Sequence, residues 1–400
     1  MHPFPRSLAR RGLISLSGSV ALAIGAGAIG AEPSYTYHYG VTGAYAGAID
    51  LGDTPIRRDV IVFYQNNFGR YPSIDRETGA IINGGLPQLA DYQDHFTACV
   101  GDILRRIPDE AWDGYAVIDF ESWTPWWTDT PGLYRDASIA DIRARRPELT
   151  DEEAEALART TYEQAARLIF EGTLQLAHSL RPNARWGYWA YPQGRHAEIE
   201  NTGWLWDASD AFYPDVYMKD YLVPETEEPG LGEAPYSKYI SGAFDGNLAY
   251  ARQVAGDSKP VLAFAWPRYR QSNANQWHRR HFLEPQHLVL MLSGPYFWDA
   301  DGVVLWDSLI QQGMADLFQD YFDSAIGPEM ERMTGYVIEQ DRLDEQNQLR
   351  EDINRDGQVD TSDLTYVLKH MGTDDALADI NLDGIVDAVD LTLVTRAFTG

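Results

Sequence analysis

The sequence predicts an α/β fold, a β/α barrel, followed by a small all-α domain that binds calcium. Two observations predict the barrel: short apolar runs alternate with long helical ones from residue 56 onward, and the alternation lasts over roughly 280 residues, which fits a barrel better than a sandwich. The second domain follows from an acidic loop that occurs twice near the C-terminus. A chain of 400 residues, 44% hydrophobic and 12% aromatic, can fill one large core and a smaller one. Its net charge of -28, from 60 acidic against 32 basic side chains, leaves no broad basic surface to neutralise phosphates, so nucleic acid is excluded as a partner.

Residues 1–31 combine a basic start, an apolar Gly/Ala-rich run and small residues near Ala28 and Ala31, the pattern of a cleaved export signal. Arg10 and Arg11 ahead of GLISL fit either a twin-arginine or a plain secretory signal, and both predict a secreted, periplasmic or cell-surface protein. No later run approaches about 18 apolar residues, so no transmembrane segment is expected. Residues 32–55 read as an N-terminal linker and 56–335 as the barrel.

Within the barrel the expected strands are VIVFYQ (60–65), YAVIDFE (115–121), RWGYWAYP (185–192), DAFYPDVYM (210–218), PVLAFAW (260–266) and GVVLWDS (302–308). The clearest helix starts after Thr150 as N-cap, with acids in its first turn, and stops before Pro182; others fit 87–107, 237–256, 284–293 and 309–325. Cys99, the single cysteine, lies on an amphipathic helical pattern and reads as a buried structural thiol. Polar residues 336–350 show no core pattern and read as a linker.

The repeat is DINRDGQVDTSDL from Asp352 and DINLDGIVDAVDL from Asp379, 27 residues apart. Each places oxygen ligands around a Gly-containing turn: Asp352, Asn354, Asp356, Asp360 and Asp363 in the first, Asp379, Asn381, Asp383, Asp387 and Asp390 in the second. Gln358 and Ile385, at the seventh loop position, would contribute backbone carbonyls. Two Ca²⁺ ions are expected over residues 351–400. Asp rather than Glu at the last position, and the absence of a full helix before the first loop, depart from an EF-hand. The duplicated module resembles a type I dockerin, which implies a cohesin-type scaffold as partner.

Barrel chemistry sits at the C-terminal ends of the strands, where AVIDFESWTPWW (116–127) places Asp119 and Glu121. Side chains two apart on a strand share a face, about 6.5 to 7 Å apart at Cα, so the acids face one cavity. Surrounding rings raise the proton affinity of one acid, and like charge separates the two titrations. Taken alone, D-x-E is a weak signal that a solvated loop or an ion pair also explains. Tyr191, Tyr217, Trp266 and Trp306 near other strand ends supply the aromatic walls on which pyranose faces stack.

FGRYPSID (68–75), INGGLPQLADYQDH (82–95), AVIDFESWTPWW, YRDAS (134–138), RPNARWGYWAYP (181–192), YPDVYM (213–218) and GVVLWDS follow one another as in hyaluronidases, glycoside hydrolase family 56. The resemblance implies a distorted TIM-like barrel and hydrolysis of hyaluronan-type glycosaminoglycans with retained configuration and no catalytic cofactor. It implies Glu121 as acid and base, Asp119 as the group orienting the substrate's 2-acetamido group, and the acetamide as nucleophile. It assigns Tyr217 and Trp306 to the acetamide and Tyr188 or Trp189 to a further sugar contact, with Trp123 and Tyr191 as wall. The chain departs from the family at Thr124, Gln193 and Gly194, and cannot make the family's disulfides. A polyanion also meets an unfavourable mean field, unless Lys219, Arg268, Arg270, Arg279 and Arg280 form a local basic strip. Chondroitin, a less charged N-acetylhexosamine polymer, and binding or surface assembly without catalysis are the alternatives.

Overall fold

The computed structural model describes residues 32–218, 239–269, 282–348, 351–354, 358–375, 377–380 and 385–398. The export signal, Lys219, Arg270, Arg279, Arg280, Asp356, Asn381 and Asp383 lie outside the described residues. The chain divides into two compact units, one comprising Tyr35–Glu331 and the other running from Arg332 to the C-terminus.

The first unit is built on parallel strands. They are β1 (Thr36–Tyr39), β2 (Ile56–Arg57), β3 (Val60–Tyr64), β6 (Tyr115–Asp119), β7 (Arg185–Tyr188), β8 (Leu262–Ala265) and β9 (Gly302–Leu305), with an antiparallel hairpin of β4 (Ser73–Ile74) and β5 (Ile81–Ile82) outside the wall. One sheet runs β2-β1-β9-β8, the other β3-β6-β7, and all of these pairings are parallel. The 212–215 segment joins the sheets by single bridges, Trp189 to Tyr213, Phe212 to Val261 and Asp215 to Phe264. It was expected as a strand and is extended chain with isolated bridges, since Pro214 has no N–H for a ladder. This is the distorted β/α barrel.

The period of two decides which side chains enter the barrel. Tyr115 and Val117 on β6, Val60, Val62 and Tyr64 on β3, Leu262 and Phe264 on β8, and Val304 on β9 form one interior cluster. The alternate residues Phe63, Ala116 and Ile118 are buried against the helical layer. Burying each branched side chain contributes roughly 1.5–3 kcal/mol. Asp119 continues the interior row, so the strand that builds the core delivers the acid into it.

The helix Asp151–Leu180 begins as expected: the Thr150 side chain accepts from Glu153 N and Glu153 reaches back, a capping box. Its inner face alternates Ala154, Ala158, Ala165, Ala166 and Ala177 with Tyr162, Ile169 and Phe170, so small residues let neighbours approach. The helix Tyr92–Arg106 is capped by Asp91 and buries Cys99 completely, and burial pushes its thiol well up, as a structural thiol requires. Gly69, at φ 61°, must be glycine because a Cβ there would lie 2.6 Å from the Cys99 sulfur.

Two boundaries are corrected. The expected N-terminal linker contains β1, which pairs with β9 along its whole length. Its His38 disguises it as polar, yet His38 is buried and bonded to Asp59 at 2.7 Å. The expected linker at 336–350 is helical through Gln348, as part of the helix Gly327–Gln348. Buried Met330, Met333 and Val337 anchor its first half, and the polar remainder propagates the helix. In the C-terminal unit the helices Thr361–His370 and Ala388–Arg396 pack around Val359, Val367, Ile380, Val386 and Val394.

Candidate active site

At the C-terminal ends of the strands lies a cleft of about 600 Å³ walled by Phe120, Glu121, Trp123, Trp189, Tyr191, Gln193, Arg195, Asp215, Tyr217, Tyr239 and Asn247, among others. Asp119 is partly buried and Glu121 exposed at its mouth. Desolvation, then the nearby Glu121 charge, raises the Asp119 carboxyl from its ordinary value to about 7. Phe120 between them is buried and stacks on Tyr71, ring centres 4.3 Å apart. The Glu121 backbone N–H is held by Gln65 Oε1 at 3.2 Å.

Tyr217 sits among Trp189 (5.9 Å), Trp266 (5.8 Å) and Trp306 (5.8 Å, nearly parallel). Trp306 Nε1 donates to the Tyr64 hydroxyl at 2.7 Å, and that hydroxyl is also bonded to Thr42. Trp266 Nε1 donates to Asp307, which Arg268 holds through its Nε at 2.8 Å. Arg268, expected in a basic strip, is therefore buried in an ion pair that orients a tryptophan. Trp189 faces the cleft with a buried indole N–H that has no hydrogen-bond partner.

The other aromatic candidates separate by strand parity. Tyr188 points away from the interior, its hydroxyl bonded to Tyr71 at 2.9 Å and its ring stacked on Phe170, so of the pair Tyr188 and Trp189 it is Trp189 that lines the cleft. Trp123 lines the cleft but is fully buried, with Nε1 donating to Pro72 O. Tyr191 is wall, stacked on His196 with centres 5.1 Å apart.

Sequence inspection noted Gln193 only as a departure from the family and missed Tyr64, Arg195, Asp215 and Asn247. Tyr64 was findable as the last interior position of a barrel strand, the same rule that found Asp119. Asp215 and Gln193 lie within or beside quoted motifs, but their contact joins two separate segments.

In the C-terminal unit the first and last acids of each loop, Asp352 with Asp363 and Asp379 with Asp390, are buried. Asp363 accepts from the backbone of Asn354 and Asp360, and Asp390 from that of Ile380 and Asp387. Asp360 and Asp387 cap the two helices by accepting from Ser362 N and Val389 N. Gln358 and Ile385 are exposed, as residues that offer only their carbonyls permit. Among the described residues no group of three ligands assembles. Two buried carboxylates per loop nonetheless fit a hard divalent cation, whose charge would offset the cost of burying two like charges in one loop.

Residues 50–334 match the hyaluronidase family, and residues 350–399 match the dockerin type I domain. Hyaluronidase-1 of Homo sapiens is 33% identical over 294 residues, 68% of this chain and 64% of that protein; Hyaluronidase-1 of Bos taurus is 31% identical over 303 residues, 69% and 63%. The chain thus spans a little under two thirds of the length of these relatives. The crystal structure of bee venom hyaluronidase in complex with a hyaluronic acid tetramer aligns with a TM-score of 0.64 at 23% identity, over 74% of this chain and 99% of that one, a likeness of fold. With a family match that covers most of its length, the chain belongs to the hyaluronidase family and ends in a dockerin type I domain.

Proposed function

We propose that this protein is an exported endo-β-N-acetylhexosaminidase that hydrolyses hyaluronan-type glycosaminoglycans. One observation carries the proposal: partly buried Asp119 ends β6, and solvent-facing Glu121, two residues on, lines a cleft walled by Trp189 and by Tyr217, on which Trp306 stacks. The acetamide oxygen of the bound N-acetylhexosamine attacks its own anomeric carbon while the glycosidic bond breaks. Glu121 gives its proton to the leaving oxygen, and Asp119 holds the acetamide N–H so that the carbonyl lies in line. Water, deprotonated by Glu121, then opens the cyclic intermediate from the same face, so configuration is retained. Tyr217 and Trp306 enclose the acetamide, and Trp189 donates its free indole N–H to a sugar oxygen.

The buried acid pairs of the C-terminal loops support one Ca²⁺ per loop, and the dockerin match supports docking on a cohesin-type scaffold. Chondroitin, of the same alternating uronate and N-acetylhexosamine build, is a second substrate reading, and a less charged N-acetylhexosamine polymer is a third, favoured by the net charge of -28, which repels polyanions. The test is digestion of hyaluronan and chondroitin by the protein and by Glu121→Gln, with products read by mass and ultraviolet absorbance. Saturated even-numbered oligosaccharides should come from the unmutated protein, with turnover lowered by at least about 10²-fold in the variant. Unsaturated products would identify a lyase instead, and intact polymer in every sample would contradict the proposal.

A further inference from the structure

The loop after Glu121 and the segment 198–208 meet at a second set of rings beyond the cleft lining. The helix Gly203–Ala208 buries Leu205 and Trp206, and Trp206 Nε1 donates to Thr202 Oγ1 at 3.0 Å, so those two side chains fix it to the core. Trp204, one position earlier, is left partly exposed. It borders two hollows of about 560 Å³ each, both of which also include Arg167 and Asn201. Its ring centre lies 6.4 Å from that of Trp126, which lies 5.8 Å from that of Tyr191. A single buried ring therefore separates Trp204 from the wall of the cleft.

The hollows carry the chemistry of a sugar site. The exposed part of the Trp204 ring is an apolar surface on which a pyranose packs, and the amides of Gln164, Gln175 and Asn201 can exchange hydrogen bonds with its hydroxyl and acetamido groups. Arg167 steadies the ring from above, its guanidinium carbon 5.3 Å from the ring centre and its Nε bonded to Glu171 at 2.8 Å. Arg159 is likewise paired with Glu163, so these arginines are compensated, and exposed Glu198 and Glu200 favour an uncharged sugar unit over a uronate. Trp126, in the lining of one hollow, has a buried indole N–H with no hydrogen-bond partner, the same mark that Trp189 carries in the cleft. Buried donors are normally paired, so an orphaned one in a lining points to a ligand oxygen.

We infer that Trp204 and its hollows form an outer subsite that packs an N-acetylhexosamine unit of the same polysaccharide whose glycosidic bond lies in the cleft. The inference rests on the cleft being a glycosaminoglycan-cleaving site and adds a second hold on the polymer, away from the acids. Trp204 touches the sugar; Arg167 acts through Trp204 and is a positioning residue. A chain long enough to occupy both places gains affinity that a short one does not, and the bond-breaking step at Glu121 is the same for both.

The test compares polymeric hyaluronan with a hyaluronan tetrasaccharide, chosen to occupy the cleft alone. In the full-length protein Trp204→Ala should raise KM for the polymer about 3- to 10-fold at unchanged kcat, and Trp204→Phe, which keeps a ring, should hold KM within about twofold of the unmutated value. In Glu121→Gln, calorimetry should find the tetrasaccharide affinity unmoved by adding Trp204→Ala. If Trp204→Ala fails to fold, Glu121→Gln labelled with fluorotryptophan decides: the polymer, and not the tetrasaccharide, should shift the Trp204 fluorine resonance, identified by its absence from Trp204→Phe. In a protein that cleaves hyaluronan, an unmoved polymer KM, an equal loss for polymer and tetrasaccharide, or a Trp204 resonance that the polymer leaves in place overturns the outer subsite alone. A protein that does not cleave hyaluronan overturns the cleft reading and the subsite with it.

Discussion

Asp119 shows how one side chain can be a liability to the fold and an asset to the site. Its carboxyl is raised to about 7, above its unfolded value of about 4, first by desolvation and then by Glu121. A raised folded value means that the native state holds the proton longer, so stability is lost as pH climbs from about 4 to about 7. Asp119→Asn should therefore stabilise the protein at pH 8 by on the order of 1–4 kcal/mol, leave it nearly unchanged at pH 4, and abolish turnover. Thermal melts at the two pH values check this, and equal melting gains at both would contradict it. The same titration should make kcat/KM change with pH near 7, which a pH–rate profile checks. The two acids were legible from the sequence because a strand's period and its C-terminal end are written in its residues. Tyr188 and Trp189 were not separable that way, since RWGYWAYP is apolar on both faces and only the observed register shows which ring turns inward.

At the scale of elements, hydrophobic runs located β3, β6, β7, β8 and β9, because a strand buried on both faces has to be apolar throughout. β1 escaped because its buried His38 is compensated by Asp59, a partner twenty-one residues away. The helix Gly327–Gln348 escaped because its second half, DRLDEQNQ, is polar in sequence and shows no apolar period, whereas Met330, Met333 and Val337 are buried in its first half. The long helix Asp151–Leu180 was legible at both ends, since a capping box and a following proline are local signals. Thr150→Ala removes the acceptor for Glu153 N and should cost about 1 kcal/mol, measurable as a lower denaturant midpoint with an unchanged slope. No change in midpoint would show that this helix is held by its packed face alone. The helix packs through Phe170 and Tyr162 beneath Phe120 and Trp123, so it supports the segment that carries Glu121.

At the scale of the whole molecule, the acidity that argues against a polyanionic substrate is partly segregated. Residues 351–400 carry 11 acids against 3 bases, and two bound Ca²⁺ ions would offset half of that excess. Chelation should consequently unfold the C-terminal unit, seen as a loss of helical circular dichroism, while hydrolysis by the barrel continues. A spectrum unchanged by chelator would mean that Val359, Val367, Ile380, Val386 and Val394 suffice without metal. The two-unit organisation was readable from the change in texture after residue 335, though the division falls near residue 331, within a helix. The central claim concerns the barrel: Asp119 and Glu121 direct an attack by the substrate's own acetamide. It is tested most directly by proton nuclear magnetic resonance of the reducing end in the first minutes of hyaluronan digestion. The account predicts that the β-anomer appears first and then mutarotates, and initial release of the α-anomer would contradict it.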